Sequence, residues 1–163
     1  MKYDKGYTLI ELLVGITIIG LLFGFGFVSF RDFSRRQALS SAVKTIIGDL
    51  RLAQAMAGAG KKPDHAFCRT PAFLENYTIS FTAAGYSVVA DCSGGNVRIK
   101  NVNVPSGITL TLPSPNPIIF RVLGNGTNAN NVDAGMSPTE IILRQANTGK
   151  TGTVVVTSSG DIY

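Results

Sequence analysis

An α+β fold is predicted, with one long amino-terminal helix packed on an antiparallel β-sheet head, and three observations carry it. Near-continuous apolar sequence up to Phe30 passes into a stretch whose apolar residues recur at the three- and four-residue spacing of one helical face. No proline stands before Pro63 to interrupt a helix. From Phe67 onward the apolar residues come in short runs bounded by Gly, Pro, Asn or Ser, which is the pattern of strands joined by turns. At 163 residues the chain has room for one anchor and one globular domain of about 100 residues.

The first element is the apolar run. Leu12 to Val28 carries no charge, and a hydrophobic stretch of about 18 residues or more is long enough to cross a bilayer as a helix. Lys2 and Lys5, against Asp4, put the leading residues on the cytoplasmic side, so the bulk of the chain is expected to face outward. Glu11 lies just inside the amino-terminal edge of the run, where an ionised acid costs a few kcal/mol in lipid. It needs a positive partner. An ordinary secretory signal would be cut after its apolar region at a small-x-small site, and Gly24-Phe25-Gly26 is the one candidate, with phenylalanine on both sides. A plain anchor accounts for the length but not for Glu11 or the Gly6-Tyr7 junction.

Next comes an amphipathic stem. Leu39, Ala42, Val43, Ile46, Ile47, Leu50, Ala53 and Ala57 share one face, with Arg36, Ser40, Lys44 and Arg51 on the other. A single helix from Tyr7 to about Ala57 is predicted, ended by Gly58 and Gly60. Gly15, Gly20, Gly24 and Gly26 weaken its apolar half, each by about 1 kcal/mol relative to alanine. Gly24-Phe25-Gly26 is the expected site of local loosening in the helix.

The head begins with a hairpin, Tyr77 to Phe81 and Tyr86 to Ala90 around Thr82-Ala83-Ala84-Gly85. Strands are expected at Val97 to Val104, Ile108 to Leu112, Ile118 to Leu123, Glu140 to Leu143 and Thr153 to Val156. Ser159-Gly160-Asp161 makes a last turn before Ile162-Tyr163. Between them, Gly124 to Gly135 is the longest polar segment. Asp133 is its sole carboxylate, so a flexible surface loop is expected there in preference to a calcium site, and a loop of this kind suits variable partner contacts.

Cys68 and Cys92 fall in the part predicted to leave the cytoplasm, where an even count favours a disulfide over a pair of buried thiols. No metal site is expected, because two cysteines and the single His65 lack paired ligand spacing, and His65 reads as a solvated loop residue. The formal charge is +5, falling to +4 if Lys2, Asp4 and Lys5 are removed together. Bases and acids are nearly balanced from Lys61 onward, a weak footprint for nucleic acid. With one histidine and scattered carboxylates no nucleophile and base can be paired, so no enzyme and no cofactor are expected.

Gly6-Tyr7-Thr8-Leu9-Ile10-Glu11-Leu12-Leu13, behind the charged leader Met1-Lys2-Tyr3-Asp4-Lys5, resembles the amino-terminal signal of the type IV pilin superfamily. Tyr7 stands where most of that family has phenylalanine. The resemblance implies cleavage after Gly6 by a prepilin peptidase, N-methylation of the new terminus at Tyr7, and pairing of Glu11 with a neighbouring subunit's amine during assembly. Ile47 to Ala57 leading into Ala66-Phe67-Cys68, and the close from Gly152 to Tyr163, look like the stem end, first strand and final hairpin of pseudopilin H and the FimT-like minor pilins. Asp161-Ile162 departs from the basic or aromatic pair found there.

By that likeness residues 1–6 are a leader, 7–30 a transmembrane and assembly helix, 31–60 a stem and 61–163 the head. The implied protein is a minor pilin or pseudopilin of a type II secretion pseudopilus or a type IV pilus. It would be single-pass in the inner membrane before entering the filament. Its implied partners are homologous subunits, the peptidase, an inner-membrane assembly platform and membrane lipid. A pilus-tip receptor binding DNA for uptake is the alternative.

Overall fold

The computed structural model describes residues 6–124, 126–129 and 138–163, and within its long helix the side chains of 24–29 lie outside that description. The leader, and most of the polar segment with Asp133, fall outside the described residues as well. The fold class expected from sequence is the one observed.

Helix α1 spans Leu9–Gly58 without a break, about 75 Å at the usual rise per residue. The expected weak point at Gly24-Phe25-Gly26 is continuous helix in the isolated chain. Gly58 is still helical, and the stop falls at Gly60, whose φ of +59° is the left-handed geometry that favours glycine. There the Gly60 N–H donates to the Ala57 carbonyl and the Lys61 N–H to that of Met56, the paired bonds of a Schellman ending.

Seven strands follow: β1 (Leu74–Thr82), β2 (Gly85–Cys92), β3 (Gly95–Asn103), β4 (Ile108–Thr111), β5 (Ile118–Arg121), β6 (Thr139–Gln145) and β7 (Thr151–Val156). They form two antiparallel sheets, ordered β3-β2-β1-β5 and β4-β6-β7, where sequence reading had treated the head as one sheet. The division has a local cause. Pro113, Pro115 and Pro117 stand between β4 and β5 and lack the N–H a ladder needs, so the chain leaves one sheet there and enters the other. Two further readings are corrected. Ala66–Cys68 is a 3-10 turn whose start is capped by His65, with Nδ1 accepting from the Phe67 N–H at 3.4 Å, and the first strand begins only at Leu74. Residues 122–124 turn away from β5, with Leu123 at φ 60°.

The second half of α1 covers this head. Leu39, Ala42, Ile46, Leu50, Ala53 and Ala57 are buried, and the helix packs on β1, β5, β6 and β7. Part of the expected flexible loop is also packed: Thr127 and Ala129 are buried, and Thr127 bridges to Phe120 of β5. Polar ties reinforce the contact. The Arg51 guanidinium donates to the Ile162 carbonyl at 3.1 Å and Gln54 Nε2 to that of Gly160 at 2.8 Å, so the last turn of the chain is held on the stem. The Tyr77 hydroxyl donates to the Lys61 carbonyl at 2.6 Å just past the helix.

The strongest tie is built on Asp49, which is 5% exposed on the buried face. Lys100 Nζ of β3 lies 2.7 and 2.9 Å from its two oxygens, and the Tyr86 hydroxyl of β2 donates at 2.6 Å. A carboxylate withdrawn from water is tolerable there because two donors, one charged, replace the lost hydration. Burial pushes the Tyr86 hydroxyl well above its ordinary range, and the Asp49 carboxylate pushes it further the same way. Cys68 and Cys92 are joined, with their Cα atoms 5.3 Å apart, and fasten the turn after the stem to the end of β2.

Three outcomes are expected. Asp49→Ala leaves Lys100 and Tyr86 without their acceptor and should cost about 2 kcal/mol, Lys100 recovering part of its hydration because it is half exposed; a denaturant midpoint within error of the parent chain would contradict the tie. Reduction of the disulfide, whose cysteines are 24 residues apart, should cost about 3 kcal/mol by release of loop entropy. Paired melts with and without reductant read this directly. Tyr86 keeps its proton to higher pH when folded than when unfolded, so its contribution is whole below the ordinary tyrosine value of 10.0 and is lost as pH rises past that toward the folded value. Tyr86→Phe should therefore flatten the alkaline limb of the stability curve, and an unchanged slope above pH 10 would refute the assignment.

Candidate functional site

The amino-terminal motif is assembled at the free end of α1. Gly6, Tyr7 and Thr8 precede the helix, and Thr8 is its N-cap, in extended geometry with ψ 152°. The Thr8 hydroxyl accepts the Glu11 N–H at 3.3 Å, and its carbonyl accepts the Leu12 N–H at 3.2 Å. Thr-Leu-Ile-Glu has the spacing of a capping box, which places Glu11 in the first turn where the helix dipole favours negative charge. Helix start and acidic residue are thus specified by the same four residues.

From this end the helix projects without cover from its own head. Tyr7 is 83% exposed and Leu9 84%, and Leu12, Leu13, Ile16, Ile19 and Leu22 are all more than half exposed. Glu11 is exposed too, and among the described residues no side chain pairs with it. Gly6 and Tyr7, the expected cleavage junction, therefore adjoin Glu11 on an accessible end of the helix, while Cys68 and Cys92 lie in the head beyond its other end.

Among the described residues no helix is long and apolar enough to cross a membrane. The described apolar part ends at Phe23, and the rest of the predicted run, to Val28, has its side chains outside the description. No cluster of three His, Cys, Asp or Glu side chains that could hold a metal ion forms among the described residues.

Sequence reasoning missed the Asp49, Tyr86 and Lys100 cluster. The signal was present in the helical pattern, because Asp49 lies three residues after Ile46 and four before Ala53, both on the buried face. An acid on an apolar face implies a donor across from it, although not which donor. The lysine and tyrosine come from different strands, and strand register brings them together.

Comparisons with known proteins bear on the same end of the chain. Residues 1–27 match the family described as the prokaryotic N-terminal methylation motif. The chain is similar to the type IV major pilin protein PilA of Myxococcus xanthus (strain DK1622), with 28% identity over 147 residues. That alignment covers 83% of this chain and 66% of the relative, so the chain spans just under two thirds of the relative's length. No solved structure matches. The chain thus carries a matched methylation motif that leads into an uncovered helix, and along most of its length it is similar to a pilin.

Proposed function

We propose that the chain is a structural subunit of a pilus or pseudopilus, and specifically a minor pilin or pseudopilin. A prepilin peptidase cuts it after Gly6, Tyr7 becomes the methylated terminus, and residues 7–30 anchor it in the inner membrane with the head outside. An assembly platform then passes it into a filament of homologous subunits. Residues 31–60 act as the stem and 61–163 as the head. The observation that carries this reading is Glu11, set in the first turn of a helix whose apolar side chains the chain itself leaves uncovered. Water is a poor solvent for that surface at about 25 cal/mol per Å², and neighbouring helices of the same kind supply both the apolar cover and the amine for Glu11.

The similar Myxococcus protein is named a major pilin, which favours a second reading, a principal filament component. Subunit counts in purified filaments separate the two. A subunit present at a small fraction of the main component is minor.

Glu11→Leu should insert and be cleaved normally yet fail to enter filaments, since a neighbour's buried amine then lacks its acid at a cost of about 3 to 5 kcal/mol. Glu11→Gln should be intermediate. Incorporation of Glu11→Leu at the parent level would remove the pairing mechanism. Intact mass after co-expression with the peptidase should correspond to a chain beginning at Tyr7, and an uncut mass would remove the subunit reading as well.

A further inference from the structure

A groove of about 520 Å³ runs along the stem on the flank where α1 meets the start of β7. Leu39, Val43 and Ile47 form its floor, and Arg36, Lys44 and Lys150 stand around it. Gly152 makes this convergence possible. A Cβ there would come within 2.6 Å of Val43 Cγ2, so its absence lets β7 lie directly against the helix and carries Lys150 to the stem. The three cations are exposed, no acidic residue lines the groove, and among the described residues none of the three takes part in an ion pair.

The groove begins a short way past the apolar run on the same helix. Arg36 lies about 9 Å beyond Phe30 along the helix axis and Lys44 about 21 Å. Arg31 and Arg35 fall in this interval but project from another side of the helix, and Asp32, paired with Arg35 at 3.3 Å, stands one turn before Arg36. Arg36 is therefore the first cation of the groove beyond the apolar segment. Membrane helices tilt by about 20° on average and up to about 40°. On the underside of a stem tilted in this range, Arg36 reaches headgroup level, and Lys44 and Lys150 come near the surface on the scale of a Debye length, ~8 Å.

We propose that this face rests on an anionic lipid surface while the subunit stands in the membrane. The proposal depends on the anchored reading of residues 7–30 given above. Charge complementarity identifies the occupant, since the groove itself is lined by three cations and no acid, and the first of them, Arg36, lies about 9 Å beyond Phe30. The aliphatic floor suits an interfacial zone in which phosphate overlies acyl carbon. In this posture the head leans to one side and the opposite flank of the stem is left open.

The test uses the full chain in lipid nanodiscs, either of neutral phosphatidylcholine or with added phosphatidylglycerol, and brief acetylation of lysines read by peptide mass. Lys44 and Lys150 should label several-fold more slowly in the anionic discs at low salt and recover at high salt, whereas Lys61, at the far end of the stem, should label equally in both. Arg36→Gln, an exposed change, should reduce that protection with helix content unaltered by circular dichroism. Equal labelling of Lys44 and Lys150 in the two discs overturns the proposal and leaves the anchored reading standing. A chain that enters neither disc overturns both. Protection by duplex DNA in neutral discs, without protection by anionic lipid, assigns the face to nucleic acid and overturns the lipid surface.

Discussion

One helix serves two environments, and the head covers only the half it can reach. Leu39, Ala42, Ile46, Leu50, Ala53 and Ala57 are buried by the head, whereas the apolar side chains from Leu9 to Phe23 project past it. An exposed apolar surface of that extent marks a place where something else excludes water. The capped first turn keeps the end of the helix from fraying while that cover is absent, because Thr8 satisfies one of the amide donors that a helix start leaves open.

The covered half depends on a different balance. Small residues at Ala42, Ala53 and Ala57 let the strands approach the helix closely, and the carboxylate at Asp49 sits among them. A salt bridge in such a place adds little net stability against an apolar substitute of the same shape. What it adds is selection of one arrangement. Only one rotation of the stem on the head brings Asp49 to both Tyr86 and Lys100, and other rotations would bury an unpaired charge. The apolar face makes the stem adhere, and the buried acid sets how it sits.

Much of this was legible in the amino-acid order, and the boundary has physical causes. The helix was readable because its signals are local: three- and four-residue spacing, the absence of proline, and Gly60 at the stop. The β1–β2 hairpin was readable for the same reason, its turn lying between two alternating runs. The Gly6 to Glu11 motif was readable as a contiguous string. Strand partnership was not, since β4 pairs with β6 across a stretch of sequence that includes all of β5. Nor was the Asp49 cluster, whose members are 37 and 51 positions apart. Ala66-Phe67-Cys68 misled because an apolar triplet bounded by breakers suits a strand or a tight turn equally well, and the cap from His65 decides for the turn.

The disulfide also determines how a mechanical load would travel. Beyond the helix the chain reaches the head through Lys61 to Arg69, and the Cys68–Cys92 bond crosses directly from that connector to the end of β2. Strands β1 and β2 lie between the two cysteines and so form a covalently bypassed loop. A pull along the stem enters at Cys68 and leaves at Cys92 without drawing on the hydrogen bonds between these two strands. The opposite end of the chain meets the stem through Arg51 and Gln54, which grip the carbonyls of Ile162 and Gly160. Tension is thereby shared between a covalent path at the head of the stem and a set of lateral grips along its side, and the hairpin at the centre of the larger sheet is loaded through the side chains of Tyr77 and Tyr86 and not from end to end.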